Sequence, residues 1–276
     1  MEKHELRFES PSFFKRLRGM LSVDFYRLFH TPMYYIFLAI AAMIPALILG
    51  TSGMPNPQTG AAAAPLYTNT WHIVAAETPL YVVNHIGEYA NMNMVFLFGG
   101  IMVSIFIGHD YKSGYVKQLF TTHAKKQDYM ISKTLVGAFS MACMCVTYLL
   151  GGVGAGLLTG TSMEVHAGSL VIALLSKLVM SLGWASLYTF LNVIFRRYFG
   201  ISIASCFFFG TGILIIGAAA IVGNSSLLNV FLYGASVYAC LSSTPLTLAV
   251  CLAVSAGWAA FYTLAGTLIL NKSDVY

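Results

Sequence analysis

Fourteen of the fifteen Lys and Arg residues fall into four short segments, and long apolar runs separate those segments. The groups are Lys3, Arg7, Lys15, Arg16, Arg18 and Arg27; then Lys112, Lys117, Lys125, Lys126 and Lys133; then Arg196 and Arg197; and Lys272. The hydrophilic stretches between them, 52–92, 160–168 and 223–243, hold no Lys or Arg. Such asymmetry orients a polytopic membrane protein, because cytoplasmic loops retain positive charge. Composition agrees: 58% of the chain is apolar and 9% is charged, against about 25% charged in a soluble domain. A single core of 276 residues cannot hide that much apolar surface from water. The bilayer is the solvent. The net charge of +5 follows the inside loops and forms no aromatic-laced groove, so nucleic acid is not implied.

A span needs about 20 apolar residues. Six segments qualify: 32–51, 93–108, 134–158, 169–195, 199–222 and 245–270. Six spans put both termini on one side, and the basic groups then fall inside without exception. Some thirty polar and basic residues precede the first run, so it reads as an uncleaved span rather than a signal peptide. The five cysteines lie in or beside apolar segments and read as buried thiols. Cys143 and Cys145, two apart on a helix, face different directions and make a poor metal pair.

Residues 11–30 form an amphipathic helix. Phe13, Phe14, Leu17, Leu21, Phe25, Leu28 and Phe29 recur at spacings of three and four, and Lys15, Arg16, Arg18, Ser22 and Arg27 occupy much of the rest. Ser10-Pro11 is a start signal and Thr31-Pro32 a break. The helix is either an interfacial anchor or a gating element. The outside segment 52–92 opens Pro/Gly/Ala-rich and continues with Trp71, Tyr81, His85 and Tyr89, which suit a short helix on the outer surface. Segment 223–244 is too short to cross twice and too apolar for an ordinary loop. It reads as a helix that dips into, or lies on, the outer leaflet.

In the inside loop 109–133, Val116, Leu119 and Phe120 make an apolar stripe at helical spacing, surrounded by Lys112, Lys117, Lys125 and Lys126. A short amphipathic helix there suits docking into another protein's groove; the alternative is a solvated basic loop. Gly152, Gly156 and Gly160 sit at the spacing that lets helices approach closely, within one subunit or between two.

Chemistry-bearing motifs are scarce. The dipeptide Gly-Lys does not occur, which excludes a phosphate-binding P-loop. No His-Glu-x-x-His or Gly-x-Ser-x-Gly pattern occurs. No carboxylate falls in the middle of a span, which argues against proton- or sodium-coupled transport. One charge does: Lys177, about nine residues into span four. It snorkels, pairs, or lines a water-filled pathway. Asn192 on the same helix is a second candidate wall residue, or a helix–helix hydrogen bonder.

The loop 109–133 resembles the coupling element of ABC-2 type exporter permeases. In that family an acidic residue, a Gly four positions later, a helix, and a basic-x-x-aromatic-x-x-x-Lys run follow one another. Here Asp110, Gly114, Lys126, Tyr129 and Lys133 stand at matching positions, with Lys126 replacing the usual Arg. The short polar tail closing the chain is similar too. The resemblance implies an all-α integral membrane fold in one domain, 1–276. It would have six transmembrane helices, an N-terminal amphipathic helix, a cytoplasmic coupling helix between spans two and three, and an outer re-entrant segment between spans five and six. It implies the membrane subunit of an exporter, without its own nucleotide site, in a bacterial cell membrane with both termini cytoplasmic. A separate ATP-binding subunit, which carries the ATP and magnesium, docks around 113–124, making Val116, Lys117, Leu119 and Phe120 coupling residues as well. A second permease subunit, identical or related, completes the pathway. Bacteriocins, lantibiotics, drugs, polysaccharides and ions are among the family's cargoes; an amphipathic peptide or hydrophobic small molecule suits this apolar bundle. The contrasting reading is a structural or sensory membrane subunit that transports nothing.

Overall fold

The computed structural model describes residues 12–52, 94–121, 124–159, 167–211, 229–241 and 244–272. Among them lie α1 (Phe13–Phe29), α2 (Pro32–Ser52), α3 (Met94–Lys112), α4 (Tyr115–Thr121), α5 (Lys126–Thr159), α6 (Ala167–Ile194), α7 (Phe199–Gly210), α8 (Leu232–Leu241) and α9 (Pro245–Lys272). Four of the described helices are long and apolar enough to cross a membrane: α3, α5, α6 and α9. The pair α1 and α2 passes the same test together, with a bend of 67° between them. The bend falls at the predicted break, where Pro32 occupies the first helical position and costs no hydrogen bond. The apolar α7 begins the predicted fifth span. The rest of that span, the Ser10-Pro11 signal, Gly160 and nearly all of 52–92 lie outside the described residues.

The predicted third span, 134–158, is longer as a helix, beginning at Lys126. The extra turns hold Tyr129, Met130, Ser132 and Lys133, all buried. Their polar atoms are satisfied by other helices of the chain, so the helix continues beyond the apolar run without facing lipid.

Helix α6 is the centre of the bundle, packing on α3, α5, α8 and α9. Its Trp184 stacks between Phe96 of α3, at 5.8 Å, and Tyr188, at 5.5 Å. The close approach of α6 to α9 is marked by the Gly183 amide, which donates to Ser255 Oγ at 2.9 Å, while that hydroxyl donates to the Val179 carbonyl at 2.6 Å. Part of the predicted segment 223–244 is the helix α8. Trp184 Nε1 donates to its Ser236 at 2.9 Å, and Trp258 of α9 donates to the Val230 carbonyl at 2.8 Å.

Helix α5 also packs along α2. The small-residue stripe in α5 works here, but through a neighbour of the predicted glycines. A Cβ on Gly151 would collide with the Ala42 carbonyl of α2, whereas one on Gly152 would rest at ordinary distance, 3.6 Å, from Pro45. Backbone cannot yield as a side chain can. Gly151→Ala should therefore lower the thermal midpoint of the purified protein, at a cost of about 1–3 kcal/mol, and Gly152→Ala should change it little; equal effects would refute the placement of α2 on α5.

Candidate functional site at the base of the bundle

The end of the bundle that carries α4 holds a closed cluster of four charges. Asp24 and Arg27 come from α1, Asp110 from the last turn of α3, and Lys133 from the second turn of α5. The Lys133 ammonium lies 2.6 Å from Asp24 Oδ1 and 2.6 Å from Asp110 Oδ2. Arg27 Nη2 donates to Asp110 Oδ1, and its Nη1 faces Asp24 Oδ1 at 3.9 Å. Ser132 donates to Asp24 Oδ2 at 2.7 Å. Both oxygens of both carboxylates thus have partners. Asp24, Asp110 and Lys133 are fully buried; Arg27 is half-buried.

Two cations balance two anions, so the cluster is neutral as a whole. That balance is required, because each ion taken from water costs several kcal/mol and only its partners offset the loss. Aromatic faces wrap the cations: Arg27 lies 4.4 Å above the Tyr115 ring, and Lys133 lies 4.6 Å above Phe106. Burial alone would lower the Arg27 pKa, but the charge and hydrogen bond of Asp110 outweigh it and raise it. A raised pKa in a cation preserves its stabilising charge at every pH below the ordinary arginine range, so Arg27 stays ionised throughout physiological pH. Burial pushes the Tyr115 phenol up as well, with the Asp24 charge adding to it, so that ring is a neutral wall. Asp110 sits near the C-terminus of α3, where the helix dipole disfavours an anion; its two cations overcome that.

The remaining motif residues frame this cluster. Gly114 turns the chain between α3 and α4 with φ of 72°, and nothing lies within 4 Å of where its Cβ would be. Glycine is needed there for the left-handed backbone rather than for space. Tyr129 is buried, its hydroxyl 3.4 Å from Asp110 Oδ2. Lys126 donates to the Leu270 carbonyl at 2.5 Å, tying the start of α5 to the last turn of α9. A second pair, Arg16 Nε to Asp128 Oδ2 at 2.8 Å, joins α1 to α5 one turn away.

Helix α4 is where the sequence predicts, but its apolar stripe is spent within the chain. Val116 is buried with Tyr129, Met130, Val193 and Leu270; Leu119 and Phe120 pack against that group, Phe120 edge-on to Tyr129 at 5.7 Å. The stripe seats α4 on the bundle, and Lys117, Gln118 and Thr121 are left on the exposed face. In α1, likewise, Arg16 and Arg27 point into the bundle rather than out with the basic face. Asp24 escaped the motif reading altogether. Its signal was available: it stands between Leu21 and Leu28 on the apolar side of an amphipathic helix, where a lone carboxylate demands a buried cation.

The two candidate pathway residues do not come together. They are 15 positions apart on α6, about 22 Å at the helical rise. Lys177 is half-buried, its ammonium 5.2 Å from the Tyr148 ring of α5. Asn192 is buried at the other end, donating to Ser104 Oγ of α3 at 3.0 Å and to the Tyr188 carbonyl at 2.8 Å, and accepting from Ser202 of α7. It clasps three helices.

With only helices among the described residues, several of them membrane-length and apolar, and a charge-locked base, this is a multi-pass membrane protein. The model of the ABC-2 family of transporter proteins matches residues 20–213. The chain belongs to that family, and with it to the membrane components of ABC transporters, which lack an ATPase site of their own and work with an ATP-binding cassette subunit. No curated protein matches the chain.

Removing Lys133 leaves two buried carboxylates facing Arg27 alone. Lys133→Met should destabilise the protein by about 3–5 kcal/mol, read as a fall in thermal midpoint. Asp24→Asn together with Lys133→Met should cost less than the sum of the two single changes. Additive effects would show that the two side chains do not pair.

Proposed function

We propose that this chain is the permease of an ATP-driven exporter, with six spans, both termini in the cytoplasm and α4 as the coupling helix. The observation that carries the reading is the four-charge cluster, because it links α1, α3 and α5 directly beneath α4. The ATP-binding subunit, which supplies ATP and magnesium, docks on the exposed face of α4 around Lys117. Force on α4 reaches Arg27 through Tyr115 and thence α1, the amphipathic helix before the first span. Rigid ion pairing favours movement of these elements as a unit, since separating the charges is costly. Coupling residues in this scheme are Asp110, Gly114, Val116, Lys117, Leu119, Phe120, Lys126, Tyr129 and Lys133, with Asp24 and Arg27 added.

A second permease subunit, identical or related, completes the pathway. The cargo is an amphipathic peptide or a hydrophobic small molecule entering beside α1. Lys177 is the pathway candidate on the opposite half of α6.

The test is to purify the tagged chain in mild detergent from its own membrane. A nucleotide-binding protein in equal amount is the expected companion, with ATP hydrolysis in the preparation. Lys117→Glu should weaken that association by about tenfold or more while the chain still inserts and folds. A folded chain that emerges alone and supports no ATP hydrolysis would overturn the exporter reading and favour a sensory or structural subunit.

A further inference from the structure

On the same end of the bundle, but on the side away from Asp24, a cavity of about 550 Å³ opens between the end of α3, the turn after α6 and the start of α7. That volume lies in the range of ligand sites. Its rim carries Lys112, Arg196, Arg197 and His109. Lys112, Arg197 and His109 are exposed and Arg196 is half-buried. Among the described residues, no acidic side chain lines it. The nearest in sequence, Asp110, turns the other way and is consumed by Lys133 and Arg27. Among the described residues, the exposed Lys112 and Arg197 therefore share this wall with no carboxylate.

Helix α7 starts at this cavity, at Phe199, and no side chain caps its first turn. Its amide groups add partial positive charge at the same place. Asn192 and Ser202, bonded to each other, form a neutral polar floor. The other walls are apolar: Ile105, Phe195 and Phe199. The Phe199 ring lies directly on Gly108, where any Cβ would strike it. From that wall α7 continues outward with exposed Ile201, Phe207 and Phe208. A cationic rim at the end of the apolar helices thus adjoins an exposed aliphatic and aromatic surface.

We propose that this cavity is a binding site for a phosphate group, occupied by the headgroup of an anionic phospholipid whose acyl chains lie along α7. The cationic rim and the α7 N-terminus meet the phosphate; the apolar wall and exposed α7 surface meet the chains. A free phosphate would satisfy the first half of this surface but leave the second unused. The site is independent of the direction of transport and of the cargo.

The full-length protein in a neutral detergent, titrated with phosphatidylglycerol and separately with phosphatidylcholine and read by native mass spectrometry, tests this. Phosphatidylglycerol should bind in preference to phosphatidylcholine. Lys112→Gln with Arg197→Gln, both exposed positions, should weaken phosphatidylglycerol binding by about tenfold or more. Lys15→Gln with Arg18→Gln, which removes the same charge from α1, should leave it unchanged. Millimolar inorganic phosphate should not displace the lipid. Equal loss in the two double variants, or equal binding of the two lipids, overturns the site; displacement by inorganic phosphate overturns the lipid as its occupant. Circular dichroism of both variants separates lost binding from lost folding.

Discussion

Lys133, held at 2.6 Å by both Asp24 and Asp110, is the contact on which the base of this bundle depends. A buried ammonium with one partner would be a poor bargain against desolvation. With two carboxylates, a serine, a guanidinium and three aromatic rings, the charges become mutually required. Helix α3 brings an anion, α5 a cation and α1 one of each, and every one of these charges has a partner on another helix. The amphipathic α1 is thereby an integral part of the bundle rather than a float at the membrane surface.

This arrangement explains why α5 runs well past its apolar stretch. In lipid, Asp128, Ser132 and Lys133 would end a span; packed against α1 and α3, they extend it. It also explains the fate of α4, whose apolar stripe is needed to close the cluster from below. The face left for a partner is the polar one. In the coupling role proposed for it, α4 would receive force through contacts already made on the inner side.

The two sides of the base differ in electrostatics. Around Asp24 the charges cancel and water is shut out. Around Lys112 and Arg197 no described carboxylate offsets them, and their side chains are exposed. One side suits transmission between helices and the other suits holding an anion, although both draw on the same clusters of Lys and Arg.

Much was legible in the residues themselves. The clustering of Lys and Arg and the length of the apolar runs announced a multi-pass helical membrane protein. The Asp110-x-x-x-Gly114 spacing and the run from Lys126 to Lys133 marked the loop for which a coupling role is proposed. These are local signals: hydrophobic period, turn residues and charge along one segment. The pairing of Lys133 with Asp24, 109 positions away, was not local, and neither was the inward turn of Arg16 and Arg27. Nor could a glycine count distinguish Gly151 from Gly152, because the choice depends on the angle at which α2 crosses α5. The sequence by itself determined which segments become helices and which ends carry positive charge, since hydropathy and charge act residue by residue. Only the tertiary structure decided which charges neutralise one another and which remain available to a ligand. A buried ion's partner is selected by distance in space, and adjacency along the chain does not supply it.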